Sequence, residues 1–271
     1  MTRRVGFSSG HRYWIPSLSD VENRRLFGKW ASPYNHGHNY VLDVTVQGFV
    51  DPHTGMVVNI KRIDDVLRGT IVSEFDGKSI NDEVGHFHSI SSTLENLMAY
   101  FADRLRAPGV LPSEVYLTGL RLEEMPGFYG ELHLTESTPM MTLTRSYEFA
   151  AAHRLDSPFL TPDENLELFG KCNNPAGHGH NYILEVTVSG DPDPATGMLA
   201  DLALIDRVVN EEVVDRYDHK NLNMDLPEFQ GRPTSSEIVT LEIFGRLNGR
   251  LPAKLERVRL FETARNMFEV S

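Results

Sequence analysis

Apolar and polar residues alternate along NYVLDVTV (residues 39–46) and again along NYILEVTV (residues 181–188). This is the period-two pattern of a strand with one buried face. SYEFAAAHRL, VYLTGLRLEE and LERVRLFET read as strands by the same test. The period changes in IKRIDDVLRGTIVSEF, where Ile60, Ile63, Leu67 and Ile71 fall on one helical stripe. DLALIDRVVNEEVV repeats the stripe with Leu202, Ile205, Val209 and Val213. A further helix is expected after Ser92-x-x-Glu95 and another after Thr234-x-x-Glu237, each a capping-box pattern ahead of an apolar run. DPHTGM and DPATGM, with Gly55 and Gly197, mark reversals after the second strands. Each half thus reads strand, strand, helix, helix, strand, strand. The fold class is α+β, with a helix pair on an antiparallel four-stranded sheet.

The two halves are one pattern written twice. A shift of 142 positions lays FSSGHR (Phe7 to Arg12) on FAAAHR (Phe149 to Arg154). The same shift lays LFGKWASPYNHGHNYVLDVTV on LFGKCNNPAGHGHNYILEVTV. Asp76 and Asp218, Lys78 and Lys220, and Asn81 and Asn223 stay in register. The register breaks only near RAPGVLPSEV, where the first half carries about four extra residues in a Pro/Gly-bearing loop. A repeat this long is a duplicated domain, since solenoid units repeat every ~20–50 residues. Residues 1–137 and 138–271 are the expected domains, with the boundary around Ser137 to Pro139.

Candidate chemistry concentrates in the second copy. His178 and His180 stand as H-x-H on a strand, so both imidazoles leave the same face. His153 ends a strand that can lie beside them. Three histidines leave one coordination position open, as in catalytic rather than structural zinc sites. Ligand type alone leaves iron, nickel and copper open. The chain's single cysteine, Cys172, lies six residues before His178. A lone cysteine is commonly a small buried hydrophobe, but the Lys-Cys-Asn-Asn context is polar.

Composition narrows the setting. With 40% hydrophobic and 24% charged residues the chain reads as globular and soluble. No apolar run is long enough to span a bilayer, and MTRRVGFSSG lacks a signal-peptide core. One cysteine allows no intrachain disulfide, which favours a cytoplasmic location. A net charge of −12 argues against nonspecific nucleic-acid binding.

FAAAHRL, GKCNNPAGHGHNY, DPATGM, DHKNLNMD, PTSSE and the closing FET occur in the order found in the 6-pyruvoyl-tetrahydropterin synthase family. The second half resembles that family from Tyr147 to Val270, the first half more loosely. The resemblance implies two tandem tunnelling-fold domains, which associate into β-barrel rings. It implies that His153, His178 and His180 bind Zn2+, that Cys172 is the base, and that Asp218 and His219 assist it. Glu262 would anchor the pterin ring, with Ser235 and Ser236 near it. The implied reaction converts 7,8-dihydroneopterin triphosphate to 6-pyruvoyl-tetrahydropterin, with protons moving along the side chain and triphosphate leaving. A thiol titrating near about 8.5 serves as base once a metal and an imidazole lower its pKa. Without the resemblance, Asp218 and His219 also read as a helix C-terminus.

The first half keeps His11, His36 and His38, and Glu124 matches Glu262. Trp30 replaces Cys172 and Gly77 replaces His219, so this site is expected to lack the chemistry; it is left to hold zinc, a pterin or another ligand, or to keep a vestigial structural role. His86 and His88 read as surface. In the family Cys172 and the Asp218–His219 pair would come from neighbouring domains, so second-half domains must adjoin. The expected assembly is a homo-oligomer of three chains, one ring of first-half domains stacked on one of second-half domains. The competing readings are a 6-carboxy-tetrahydropterin synthase of the queuosine pathway, a non-catalytic pterin- or metal-binding protein, and a metal-free urate-oxidase-like enzyme. The six-residue gap from Cys172 to His178 favours the pyruvoyl product.

Overall fold

A computed structural model describes residues 1–134 and 139–271. The expected boundary lies outside the described residues except for Pro139. The chain divides into two compact units, one of Met1–Leu143 with Ser189–Asp201, the other of Thr144–Val188 with Leu202–Ser271.

In the first unit, β1 (Thr2–His11) leads to α1 (Asp20–Phe27) and β2 (His36–Gly48). A helical run follows as α2 (Ile60–Leu67), a π-helical turn at Arg68–Val72 and α3 (Ser73–Phe75). After β3 (Lys78–Ser79) and α4 (Ile80–Glu83) come α5 (Leu94–Arg106), β4 (Val115–Met125) and β5 (Phe128–His133). The strands lie in the order β5-β4-β2-β1-β3, antiparallel except that β3 pairs parallel with β1. The core forms where the helical stripe meets the inner sheet face. Ile63, Leu67, Ile71, Leu97 and Phe101 are fully buried, and the Phe7 ring lies 5.9 Å from that of Phe101. Ile60, expected on the stripe, is instead exposed at the helix start.

The second unit repeats the plan. It holds β6 (Met140–His153, from Thr144 onward), α6 (Pro162–Phe169), β7 (His178–Ser189) and α7 (Leu202–Val209). A π-helical turn at Asn210–Val214 then leads into α8 (Asp215–Tyr217), β8 (Lys220–Asn221) and α9 (Leu222–Asp225). α10 (Ser236–Leu247), β9 (Lys254–Thr263) and β10 (Asn266–Val270) complete it. The sheet order is β10-β9-β7-β6, and β8 pairs parallel with β6. Leu202, Ile205, Val209 and Val213 are all buried, as the stripe requires.

The helix starts differ from expectation. Thr93, not Ser92, caps α5, accepting from the Asn96 N–H. Glu95 is buried within the first unit and accepts from the Leu199 N–H at 2.6 Å. Ser235, not Thr234, occupies the N-cap of α10 and makes no side-chain cap bond. The displaced residues serve the histidines: the carbonyls of Ser92 and Thr234 are the partners of His11 and His153.

Candidate active site

His153 ends β6 and is 1% exposed, while His178 and His180 open β7 and share a face by period two. The three rings lie 4.6 to 5.3 Å apart between centroids, and one ligand atom from each falls within 4.8 Å of the others. His153 Nδ1 lies 2.7 Å from the Thr234 carbonyl oxygen. A carbonyl only accepts, so Nδ1 carries the proton and Nε2 presents its lone pair. Burial lowers the pKa of His153 and of His178, so both stay neutral and able to ligate. His153 Nε2, His178 Nδ1 and His180 Nε2 are buried with no hydrogen-bond partner. Buried polar atoms are rarely left so. A divalent metal held by three imidazoles satisfies all three atoms, and the donor set fits it.

Glu262 owes its aim to a break in the ladder. Thr263 pairs with Asn266 but Phe261 pairs with Met267, so Glu262 is the extra residue of a β-bulge. Such bulges redirect a side chain. Its carboxylate lies 3.7 Å from His153 Nε2 and 3.8 Å from His180 Nε2. Ser236 Oγ donates to Oε1 at 2.8 Å and Asn266 Nδ2 to Oε2 at 3.2 Å. Burial raises the Glu262 pKa, but these donors and the two imidazoles outweigh it and leave the net shift downward. Glu262 is therefore a carboxylate able to accept two hydrogen bonds from one edge of a ligand. Asn266 was not anticipated. Its signal is the Glu-x-x-x-Asn spacing, which becomes a contact only once the β9–β10 turn is known.

Asp218 and His219 follow directly on the π-helical turn and α8. Asp218 accepts from the Ala150 N–H at 2.7 Å, and His219 Nδ1 lies 2.8 Å from its other oxygen. Those hydrogen bonds lower the Asp218 pKa. His219 has φ of 56°, the one positive value at a non-glycine residue among those described. It lines a groove of ≈ 510 Å³ formed by residues 150–152, 179–181 and 219–221. Cys172 is half-buried in the 3-10 turn Gly170–Asn173 and is not on that groove's wall. The single chain thus joins the histidines, Glu262, Ser236 and Asn266. Cys172 and His219 do not share the wall of that groove. Ser235 sits at the head of α10 with no side-chain cap bond.

The first unit builds the same frame. His11 is directly opposite His36 across β1 and β2, and Ser9 is opposite His38. His11 Nδ1 lies 3.0 Å from the Ser92 carbonyl. Burial pushes the pKa of His11 down to about 3 and that of His38 to about 4. Glu124 again occupies a bulge, its carboxylate 3.5 Å from His38 Nε2 and 4.0 Å from His11 Nε2. Trp30 stands where Cys172 does, with the Lys29 ammonium 4.8 Å over its ring, and Gly77 has φ of 73°. His86 and His88 are exposed, as expected, His86 against Tyr100 and His88 beside the Asp82 carbonyl.

A family model described as 6-pyruvoyl tetrahydropterin synthase matches residues 1–133 and 142–271. The chain is 47% identical over 126 residues to a human 6-pyruvoyl tetrahydrobiopterin synthase, covering 46% of this chain and 87% of that relative. It is 25% identical over 146 residues to a 6-carboxy-5,6,7,8-tetrahydropterin synthase of Rickettsia bellii, covering 48% of this chain and 97% of that one. A solved structure of the Caenorhabditis elegans 6-pyruvoyl tetrahydropterin synthase is 40% identical. It covers 49% of this chain and 96% of its own, with a TM-score of 0.47.

Proposed function

Since the chain belongs to the 6-pyruvoyl tetrahydropterin synthase family, we propose that it is a lyase converting 7,8-dihydroneopterin triphosphate to 6-pyruvoyl-tetrahydropterin. The observation that carries the reading is the convergence of three imidazoles within metal-binding reach of one another, beside a doubly held carboxylate, in the second repeat.

His153, His178 and His180 would hold the metal, proposed to be Zn2+, which supplies Lewis acidity toward the substrate's side-chain hydroxyls. Glu262 binds the pterin edge, accepting from its amino group and ring N–H, while Ser236 keeps the carboxylate turned toward it. Ser235, at the head of α10, adds a hydroxyl near the ring. Cys172 takes the side-chain proton, and His219, fixed by Asp218, receives or returns it. Cys172 is not on the wall of the groove that His219 lines, which supports a base and relay drawn from different copies. The assembly proposed is a homo-oligomer of three chains whose second-repeat domains adjoin, closing their sheets into a barrel. Residues 1–137 form a degenerate domain with its own metal ligands and 138–271 the catalytic one. A cytoplasmic setting suits a sole, functional thiol that must stay reduced. No helix among the described residues is long and apolar enough to cross a membrane.

Incubation with 7,8-dihydroneopterin triphosphate and mass spectrometry of the pterin product tests the reading. The pyruvoyl product supports it. A carboxy product assigns the chain to the other branch, and no product refutes the lyase.

A further inference from the structure

The turn after the second strand occurs in both repeats with one shape. The Gly55 N–H donates to the Asp51 carbonyl at 2.8 Å, and the Gly197 N–H to that of Asp193 at 2.7 Å. Their surroundings differ. Ser189–Asp201 belongs to the first unit, where the turn lies on the head of α5. There Thr93 Oγ1 donates to the Gly197 carbonyl at 2.9 Å, and the Glu95 carboxylate accepts from the Leu199 N–H at 2.6 Å. The fit is close, since a Cβ on Gly197 would come within 2.0 Å of Asn96 Nδ2. Met198 is left 8% exposed.

The first-repeat turn lies open. Met56, the counterpart of Met198, is 45% exposed, and Phe49, Val50 and Ile60 are exposed around it. A Cβ on Gly55 would meet nothing within 4 Å. The head of α10, which matches that of α5, is bare as well. Ser235 has φ of −65° and ψ of 154°, against −66° and 159° at Thr93, but makes no side-chain cap bond. Glu237, in the place of the buried Glu95, is exposed.

We infer that residues 49–60 of one chain dock on the head of α10 in a second copy, repeating between chains the contact that the equivalent turn makes on α5. The matching bonds run from Ser235 Oγ to the Gly55 carbonyl and from the Val57 N–H to the Glu237 carboxylate. Exposed apolar side chains gathered on one segment mark an interaction surface, and the contact already made once in the molecule sets its occupant. Turn and helix head lie on different repeats, so the contact is head-to-tail, the kind that builds rings of chains. It uses neither the turn that carries Cys172 nor the Asp218–His219 segment, and so adds to the proposed meeting of second-repeat domains. A serine hydroxyl donates once and accepts twice. Ser235 can therefore hold the partner's turn and still accept from the pterin ring proposed beside it.

The test co-expresses two full chains, one with Val57→Cys and one with Glu237→Cys, each also carrying Cys172→Ser, and treats them with a short bismaleimide. Unlike chains should be cross-linked and like chains should not. In a separate chain, Gly55→Asn adds a side chain where the molecule leaves room, in a left-handed conformation that asparagine tolerates. It should stay folded by circular dichroism and raise the dissociation constant measured by sedimentation at least tenfold. If it does not fold, Glu237→Lys at the exposed helix head should have the same effect. A monomeric native chain, cross-links between like chains, none between unlike ones, or unchanged association in the folded variant would overturn the inference. Association is measured without substrate, so absent turnover would refute the lyase and leave this result standing.

Discussion

His219 offers a test that separates strain from function. Its backbone is left-handed, with φ of 56°, at a position where the first repeat carries Gly77 at 73°. The turn is otherwise the same: the His219 N–H donates to the Ala150 carbonyl and the Gly77 N–H to that of Ser8. A residue with a Cβ pays about 1–2 kcal/mol in this conformation. Glycine avoids that but loses about 0.5–1 kcal/mol of extra chain entropy on folding. Comparing His219→Gly with His219→Ala cancels the loss of the Asp218 contact, which both variants share. Glycine should therefore be the more stable by roughly 1 kcal/mol, or roughly 2–4 °C in Tm for a domain of this size. At an ordinary φ the order would reverse. Both variants should lose turnover while keeping their metal. The assay is paired thermal melts with triphosphate-release kinetics. Equal or greater stability of the alanine variant, or activity in either, refutes the view that strain is retained here for the imidazole.

Other expectations follow from the same contacts. Ser236→Ala removes the 2.8 Å donor that lowers the Glu262 pKa, so activity, lost as pH falls through that pKa, should fail at a higher pH. An unmoved acid limb in kcat/KM would count against this role. Trp30→Ala should leave turnover nearly intact, whereas loss of activity there would show that the first repeat takes part in the chemistry. Glu95 is wholly buried and its pKa is raised from 4.5 to about 7 by burial, against the lowering effect of the Leu199 N–H. Its folded pKa lies above the unfolded one, so it favours folding below pH ~4.5 and loses that advantage as pH rises through ~7. Relative to Glu95→Gln, the native chain should lose on the order of 3 kcal/mol across that interval. Urea melts at pH 5 and 8 would show it, and parallel curves would contradict it.

What was legible in the chain was what repeats at short range. Period-two alternation located the strands that carry His36, His38, His178 and His180, and the 142-residue register paired the two histidine sets. The helix caps slipped by one residue because Ser92 and Thr234 lend their carbonyls to His11 and His153, a tertiary demand that a local pattern does not carry. α1 and α6 went unread although Ser19–Glu22 and Thr161–Glu164 form full capping boxes; their short, mostly exposed helices show little apolar stripe. The bulges at Glu124 and Glu262, and the Asn266 contact, depend on strand pairing across a turn. Cys172 and His219 were both legible as chemistry through the family resemblance, but that Cys172 is not on the wall of the groove His219 lines needed the structure.

The most direct measurement is product formation by the purified, metal-loaded chain given 7,8-dihydroneopterin triphosphate, beside its Cys172→Ala counterpart. The unmutated chain should release triphosphate and yield 6-pyruvoyl-tetrahydropterin, while the variant yields none at unchanged metal content. Turnover by the cysteine-free chain, or none by a metal-replete native one, would contradict the account.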